Sequence, residues 1–339
     1  MPKFPDLRIA VIGAGSTGGV LAGLLKKKGY DVTLVTGKAE STGILLMQGI
    51  TLKEGTVKER IPVPAVTHPS ELNRSPDIVF LCVKGYDIAE AAESFSPIIQ
   101  NGTCIVVFQP VIYEEALKNA VTDGKLVSGV IGWSAAKDKR FTYTKTSRGG
   151  FILGPMRNAL MPVITAVGDI LSETGENYVI DNRIESIKWG KLIIDSVLNA
   201  FGLILGCTFG EFLSEREIRL KAIEVMGQTA DTVRSLGKEP AGFGTVRFGP
   251  VKIDRNTVEN LDCHIMLRNY GAAHKNRIST DLQSLNRGDT IETAGILIFI
   301  IGQSEKAGIS VPGLKKLYSV HQDIASGKMM PSLRNIHKI

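Results

Sequence analysis

The sequence of 339 residues contains 40 Lys and Arg against 34 Asp and Glu, with 43 % hydrophobic and 22 % charged residues. With a mean hydropathy of +0.09, this composition excludes disordered, collagen-like and coiled-coil proteins. The length predicts two domains that bury their cores without disulfides or metals. The longest apolar run, residues 295–302, is far shorter than the ~20 residues of a membrane-spanning helix. We therefore expect a buried helix there and no membrane partner.

The formal charge of +6 and the pI near 9.0 are compatible with a nucleic-acid partner. The basic residues are scattered rather than aligned along one element, so we expect a small anionic ligand and no nucleic acid. The N-terminal residues run directly into a strand pattern and lack the regions of a signal peptide, which predicts a cytoplasmic protein. The four cysteines are far apart and the five histidines have no ligand spacing, so we expect reduced thiols and no metal.

A glycine-rich turn follows the first predicted strand, residues 7–12, and leads into a helical pattern. Its residues are Gly13, Ala14, Gly15, Ser16, Thr17 and Gly18. Strand, G-x-G-x-x-G and helix in this order form the fingerprint of dinucleotide-binding domains. Gly13 permits the tight turn, Gly15 lets the pyrophosphate approach the backbone, and Gly18 lets the helix pack on the strand. We therefore predict that these six residues bind the cofactor at the helix N-terminus.

The second predicted strand, residues 31–35, is followed by Lys38 and not by the acid that binds the ribose 2′-hydroxyl in NAD-specific proteins. Lys38 suits a 2′-phosphate, which favours NADP(H) over NAD(H). The alternative is a solvated loop lysine. The next apolar segment, residues 44–53, predicts a small hairpin.

Two fully apolar segments, residues 77–83 and 102–108, predict buried parallel strands with a helix between them. Ligands of such sheets bind beyond the carboxyl ends of the strands, where Lys84 and Gln109 follow. Both are therefore candidate cofactor-binding residues. The alternative for Lys84 is a solvent-exposed lysine that caps the end of its strand. Further strands are predicted near residues 125–132 and 150–153, with a closing helix over residues 158–172.

Beyond residue 180 the strand patterns stop and helical spacing begins. We therefore predict an α/β fold with an N-terminal Rossmann-type, doubly wound sheet in residues 1–180 and a mainly α-helical domain in residues 181–339. Capping boxes are predicted at residues 214–217 and at residues 289–292, the second at the start of the last long helix.

Lys191 lies in the first helical pattern of the second domain, and its neighbours at minus seven, minus four, plus three and plus seven are isoleucine or leucine. On a face turned toward the other domain, desolvation would lower the pKa of this lysine toward that of a general acid. The alternative is an ion pair with Asp195 one turn later. Glu292 and Asn199 also have purely structural alternatives. Glu292 fits a helix-capping residue and Asn199 a hydrogen-bonded residue near a helix end.

The GAGSTG turn, the strand that ends in VKGYD, the helix with WGKLIIDSVLNAFG and the ISTDLQ segment with a following glutamate resemble the ketopantoate reductase family. The resemblance extends from Arg8 to about Leu317. It implies reduction of 2-dehydropantoate to pantoate by NADPH, a step of pantothenate biosynthesis, with hydride delivered in the cleft between the domains. It further implies that Lys191 is the general acid at the ketone oxygen and that Glu292 binds the substrate hydroxyl.

The same resemblance gives roles to three further residues. Thr280 stands where the family has a serine near the substrate carboxylate, Lys84 matches a lysine of the cleft, and Lys38 falls close to the basic residue that binds the 2′-phosphate.

Three positions depart from the family pattern. Gln109-Pro110 replaces the usual Asn-Gly, Asp195 replaces a common asparagine, and only Glu292 remains of the usual E-I-D-Y-x-N-G. The charge of Asp195 would raise the pKa of Lys191 and repel an anionic substrate. We keep Asp195, Asn199 and Thr280 as substrate-binding candidates. The expected partners are a small 2-oxo acid and a second copy of the chain in a homodimer.

Two alternative functions stay open. One is an NADPH-dependent reductase of another 2-oxo acid or an imine, and the other is a protein that binds NADPH without turnover.

Overall fold

The computed structural model describes residues 3–121, 124–138, 141–242 and 261–339. These residues belong to two compact units, Met1–Glu185 and Ser186–Ile339. The first unit alternates strands and helices around a mostly parallel sheet, and the described elements of the second are helical. The predicted fold class, a Rossmann-type α/β domain followed by a helical domain, is confirmed. Within the described ranges, every helix is too short or too polar to cross a bilayer.

The strands of the first unit form where branched apolar residues are frequent. In chain order they are β1 (Arg8–Ile12), β2 (Asp31–Val35), β3 (Ile50–Glu54), β4 (Val57–Ile61), β5 (Ala65–Val66), β6 (Ile78–Leu81), β7 (Cys104–Val107), β8 (Lys125–Ile131), β9 (Ala135–Lys137), β10 (Thr142–Lys145), β11 (Phe151–Arg157) and β12 (Tyr178–Ile180). The helices of this unit are α1 (Ser16–Lys27), α2 (Ala39–Gln48), α3 (Ile88–Phe95), α4 (Glu114–Ala120) and α5 (Met161–Ser172).

The main sheet has the order β12-β11-β8-β7-β6-β1-β2-β5 among the described strands. β1 pairs in parallel with β2 on one side and with β6 on the other, and β7 and β8 continue in parallel beyond β6. Two apolar clusters cover the faces of these buried strands. The strand order reverses at β1, and the carboxyl end of β1 is therefore the place where doubly wound sheets bind their ligands.

A smaller sheet with the order β4-β3-β10-β9 packs against α1. Two glycines of α1 allow this close approach. A Cβ atom on Gly19 would lie 1.9 Å from the ring of Tyr143, and one on Gly23 would lie 3.0 Å from the side chain of Leu52. Tyr143 is completely buried in this contact. The small sheet is thus seated on the helix that follows the glycine-rich turn.

The hairpin predicted over residues 44–53 is wrong in its position. Residues 44–48 belong to α2, and the hairpin consists of β3 and β4 after Gly49. Gly49 has φ +68°, and a Cβ atom there would lie 2.6 Å from the carbonyl oxygen of Ile61. The change from helix to strand at this point therefore requires glycine.

The described elements of the second unit include seven α-helices. They are α6 (Ile184–Leu205), α7 (Phe209–Ser214), α8 (Arg216–Ser235), α9 (Leu261–Ala273), α10 (Thr280–Arg287), α11 (Thr293–Lys306) and α12 (Pro312–Ala325). The apolar run of residues 295–302 lies in α11, which confirms the predicted helix. The helix is only partly buried, because Ile298 is 48 % exposed. Since α12 follows, α11 is not the last long helix.

Both predicted capping boxes are wrong. Ser214 ends α7, where its hydroxyl donates to the carbonyl of Glu211, and α8 begins after it without a side-chain cap. Asp289 pairs with Arg287, and α11 begins only at Thr293, so that Glu292 occupies the N-cap position itself. The residue pattern of a capping box also occurs at the end of a helix. The pattern alone therefore does not distinguish a helix start from a helix end.

Candidate functional site

The glycine-rich turn joins β1 to α1 at the switch point of the main sheet. Gly13 has φ +110°, and a Cβ atom there would lie 2.7 Å from the carbonyl carbon of Cys82 and 2.8 Å from the backbone nitrogen of Val83. A Cβ atom on Gly18 would lie 2.0 Å from the carbonyl oxygen of Gly13. Both positions exclude any side chain, because the turn lies directly on the end of β6.

The N-terminal end of α1 fits a pyrophosphate. Gly15 is the N-cap residue and is exposed, and no side chain caps the helix. Ser16 and Thr17 begin the helix, and its first turn contains no acidic residue. The free N–H groups and the positive end of the helix dipole are therefore left for an anion that approaches the backbone closely.

The carbonyl oxygen of Ala14, inside this turn, accepts two hydrogen bonds from the small sheet. The hydroxyl of Tyr143 donates at 3.1 Å and the ammonium of Lys137 at 3.0 Å. Burial raises the pKa of the Tyr143 hydroxyl, which therefore stays protonated as a donor. Nothing in the sequence predicts either contact, because the two residues lie 129 and 123 positions from Ala14. The glycines at positions 19 and 23 are the local sign that another element approaches α1.

Gln109 and Lys84 follow β7 and β6 at the same edge of the main sheet. The amide N–H groups of Gln109 donate to the carbonyls of Leu81 and Val83, each at 2.9 Å, and the side chain is buried. Its Oε1 has no hydrogen-bond partner among the described residues. Gln109 thus fixes the segment that leads from β6 to Lys84, whose side chain is exposed.

Lys38 is exposed at the N-cap position of α2, directly after β2. Beside it, hydroxyls form a chain from Thr36 to Thr42 at 2.7 Å and from Thr42 to Thr67 at 2.9 Å. Glu40, which the sequence analysis does not select, lies in the first turn of α2 and is also exposed. The end of β2 therefore offers a cation suited to a 2′-phosphate and a carboxylate suited to a 2′-hydroxyl.

In the second unit, Lys191, Asp195 and Asn199 form a polar row along α6. They are spaced four residues apart and half-buried, whereas residues 192–194 and 196–198 between them are buried. The ammonium of Lys191 pairs with the carboxylate of Asp195, and its side chain is 32 % exposed. The ion pair considered as the alternative for Lys191 is therefore present, and the lysine lies at the polar edge of the helix.

The polar row continues onto α10. The side-chain oxygen of Asn199 accepts the backbone N–H of Thr280 at 3.2 Å. The two helices touch closely, because a Cβ atom on Gly202 would lie 2.5 Å from that of Ser279, the N-cap residue of α10. Thr280 itself is exposed. The structure thus joins Thr280 to Asn199, at the end of the row that Lys191 and Asp195 begin.

A buried network lies next to the row. One carboxylate oxygen of Asp281 accepts from the hydroxyl of Thr293 at 2.8 Å, and the other lies 3.0 Å from Nε2 of His321 in α12. The side chains of His321 and Asp281 are 0 % and 2 % exposed. Because Asp281 follows Thr280 and Thr293 follows Glu292, this network fixes the helix ends that carry both candidates. The sequence analysis does not select it, since its members come from three separate helices.

Three of the four thiols are not activated. Burial raises the pKa of Cys82 and Cys104 to about 12 and that of Cys207 to about 11. Such thiols are not nucleophiles near neutral pH. In the described part of the chain, no three His, Cys, Asp or Glu side chains are placed to hold a metal.

Models of one protein family match both units. The model described as "Ketopantoate reductase PanE/ApbA" matches residues 9–158, and "Ketopantoate reductase PanE/ApbA C terminal" matches residues 183–325. The chain belongs to the ketopantoate reductase family. Membership makes the protein an oxidoreductase that acts on C=O and CH–OH groups, in a family of nicotinamide-dinucleotide-dependent reductases.

Individual proteins of known name resemble the chain at low identity. It is 23 % identical over 320 residues to the 2-dehydropantoate 2-reductase of Archaeoglobus fulgidus, covering 94 % of this chain and 98 % of that one. The crystal structure of a PanE/ApbA family ketopantoate reductase from Ralstonia eutropha matches with a TM-score of 0.80 at 19 % identity, covering 95 % of this chain and 99 % of that one.

A ternary structure of D-mandelate dehydrogenase with NADH and anilino(oxo)acetate matches with a TM-score of 0.81 at 17 % identity, covering 95 % of this chain and 99 % of that one. At these identities the two structural matches show that the ketopantoate reductase fold is shared.

Proposed function

We propose that the protein reduces 2-dehydropantoate to pantoate with NADPH, as a step of pantothenate biosynthesis in the cytoplasm. The observation that carries this proposal is the polar row of α6. The row places Lys191, Asp195 and Asn199 on one edge of α6, and Asn199 is hydrogen-bonded to Thr280. Both halves of the chain match ketopantoate reductase models.

The cofactor assignment is supported by the turn of residues 13–18, in which Gly13 and Gly18 leave no room for a side chain and which ends in an acid-free helix N-terminus. In this proposal the turn holds the pyrophosphate and Lys38 holds the 2′-phosphate. Lys84 and Gln109, which follow the carboxyl ends of β6 and β7, complete the proposed cofactor-binding set. NADPH, when bound, supplies the hydride that adds to the carbonyl carbon of the substrate.

Lys191 supplies the proton of the reaction. As hydride adds to the carbonyl carbon, the C=O π electron pair moves to the oxygen, and the ammonium of Lys191 donates a proton to that oxygen. The resulting amine regains a proton from water. Asp195 orients the ammonium through their ion pair.

The remaining candidates bind the substrate. Thr280 and Asn199 recognise its carboxylate, and Glu292 recognises its hydroxyl group. The support for this assignment is that the Asn199 to Thr280 hydrogen bond and the Asp281 network hold these residues on fixed helix ends.

A second candidate is the NADH-dependent reduction of another 2-oxo acid. It is favoured by Glu40 beside Lys38 and by the buried Gln109, a longer amide than the asparagine that the family resemblance implies. The fold shared with D-mandelate dehydrogenase, solved with NADH and an oxo acid derivative, points the same way.

A panel of 2-oxo acids with NADPH and NADH tests the proposal, with kcat/KM measured from the loss of reduced-nucleotide absorbance. The expected result is the highest kcat/KM for 2-dehydropantoate with NADPH. A higher value for another oxo acid, or for NADH, supports the second candidate and overturns the first. Tight NADPH binding in calorimetry without turnover of any oxo acid or imine identifies a binding protein instead.

A further inference from the structure

The carbonyl of Ala14 is held by two side chains of the small sheet, which the proposed cofactor site does not otherwise use. The donors are Tyr143 and Lys137, on β10 and β9. Tyr143 is locked in place by Gly19, and the Lys137 ammonium lies 3.9 Å from the ring centre of Phe141. The cation is therefore kept beside the turn by a hydrogen bond and a cation–π contact.

Holding the Ala14 carbonyl also orients the next N–H group. A peptide unit is planar and trans, so the N–H of Gly15 points away from the side to which the carbonyl of Ala14 points. Because that carbonyl faces the small sheet, the N–H of Gly15 faces away from it, at the N-terminal end of α1. This group is one of the first donors that a helix N-terminus offers to a phosphate.

The two donors differ in what they add. The hydroxyl of Tyr143 orients the peptide and carries no charge. Lys137 orients the same peptide and also adds a positive charge, half-buried and directly behind the turn, to the positive end of the α1 dipole. Its effect on a bound anion should therefore include a part that salt screens.

We propose that Lys137, assisted by Tyr143, is a cofactor-positioning residue that strengthens the binding of the pyrophosphate at the turn. The inference rests on the proposed function, since it requires a nicotinamide dinucleotide at residues 13–18. It differs from the role of Lys38, because the pyrophosphate is common to NADPH and NADH whereas the 2′-phosphate belongs to NADPH alone.

Fluorescence titration of the purified full chain with NADPH and with NADH tests this role at low and high salt. Lys137→Met is expected to raise both Kd values by the same factor, about tenfold at low salt and less at high salt. Lys137→Arg, which keeps the charge, should stay within about threefold of the wild type. Tyr143→Phe should weaken binding by about threefold with an unchanged salt dependence.

Lys58→Met is the matched control, because Lys58 is an exposed lysine of β4 in the same small sheet. It should leave both Kd values unchanged. If Lys137→Met has the same Kd values as Lys58→Met, the inference is overturned. This holds even if the Tm of Lys137→Met is lower, because the lysine then stabilises only the small sheet. A loss confined to NADPH also overturns it. If the wild type binds neither nucleotide, it is the proposed function that fails.

Discussion

Lys191 is the residue on which the proposed chemistry depends. Lys191→Ala removes the proton donor and leaves the glycine-rich turn unchanged, so kcat should fall about 10²–10⁴-fold with little change in the Kd of NADPH. Steady-state kinetics and a fluorescence titration measure the two quantities. Asp195→Asn, which keeps the lysine and removes its ion pair, should retain much more activity than Lys191→Ala. A kcat of Lys191→Ala equal to that of the wild type contradicts the assignment.

Lys38 and Glu40 together test the choice of cofactor. Lys38→Ala should raise the Kd of NADPH about tenfold or more and change that of NADH little, because only NADPH carries the 2′-phosphate. Glu40→Gln should lower the Kd of NADPH relative to that of NADH, since it removes a negative charge near that phosphate. Titration of both variants with both nucleotides gives the ratio of Kd values. Equal losses for NADPH and NADH in Lys38→Ala would show that the lysine does not meet the phosphate.

At the scale of elements, the buried Asp281 holds α10, α11 and α12 together. Thr293→Val keeps the shape of the side chain and leaves one carboxylate oxygen without its donor, which costs about 1.5–3 kcal/mol for a hydrogen bond to a charged group. The Tm in a thermal melt should fall by roughly 3–12 °C. Thr293→Ser, which retains the hydroxyl, should lose less. A loss in Thr293→Ser as large as that in Thr293→Val would show that the methyl group contributes as much as the hydrogen bond.

The elements that the sequence predicts well are those set by local sterics or uniform burial. β6 and β7 are apolar at every position, and the turn at Gly13 and Gly18 admits no side chain, so both are recognisable without tertiary information. The helical conformation of residues 44–48, the C-terminal part of α2, is not predicted because a short apolar run fits a helix and a strand equally well. In the same way, the sequence around Ser214 fits the end of one helix as well as the start of the next.

In the candidate site, too, local contacts are predictable from the sequence and contacts between distant segments are not. The ion pair of Lys191 with Asp195 is predictable because the two residues are one helical turn apart. The contacts of Lys137 and Tyr143 with Ala14, and of His321 with Asp281, join segments far apart in the chain. Their formation depends on which elements pack together, and one sequence without its fold carries no local pattern for that.

At the scale of the whole molecule, hydrogen-bonded carboxylates make the fold sensitive to acid. Hydrogen bonds from Arg8 hold the pKa of Asp77 below its usual range, and Lys3, Arg183 and the backbone of Thr208 do the same for other carboxyls. A carboxyl with a lower pKa in the folded state stabilises the fold above its unfolded pKa, about 4, and loses that effect as the pH falls through the folded value. The Tm should therefore fall most steeply below about pH 4.

Asp77→Asn separates one of these contributions. The carboxylate of Asp77 accepts the backbone N–H and two guanidinium N–H groups of Arg8 and so joins β1 to the start of β6. The variant should have a Tm lower by a few degrees at neutral pH and a shallower decline in acid, with the two curves converging at the lowest pH. Thermal melts across this range measure both curves. Parallel curves would show that this carboxyl does not contribute to the acid sensitivity.

The attachment of Ala14 to a residue 129 positions later has a consequence for biosynthesis. A nascent chain that has left the ribosome only as far as β7 already contains β1, the glycines and α1, but neither Lys137 nor Tyr143. In such a chain the carbonyl of Ala14 has neither donor, and the direction of the Gly15 N–H is not yet set by them. On the proposal above, this incomplete chain would bind a pyrophosphate less tightly than the finished protein.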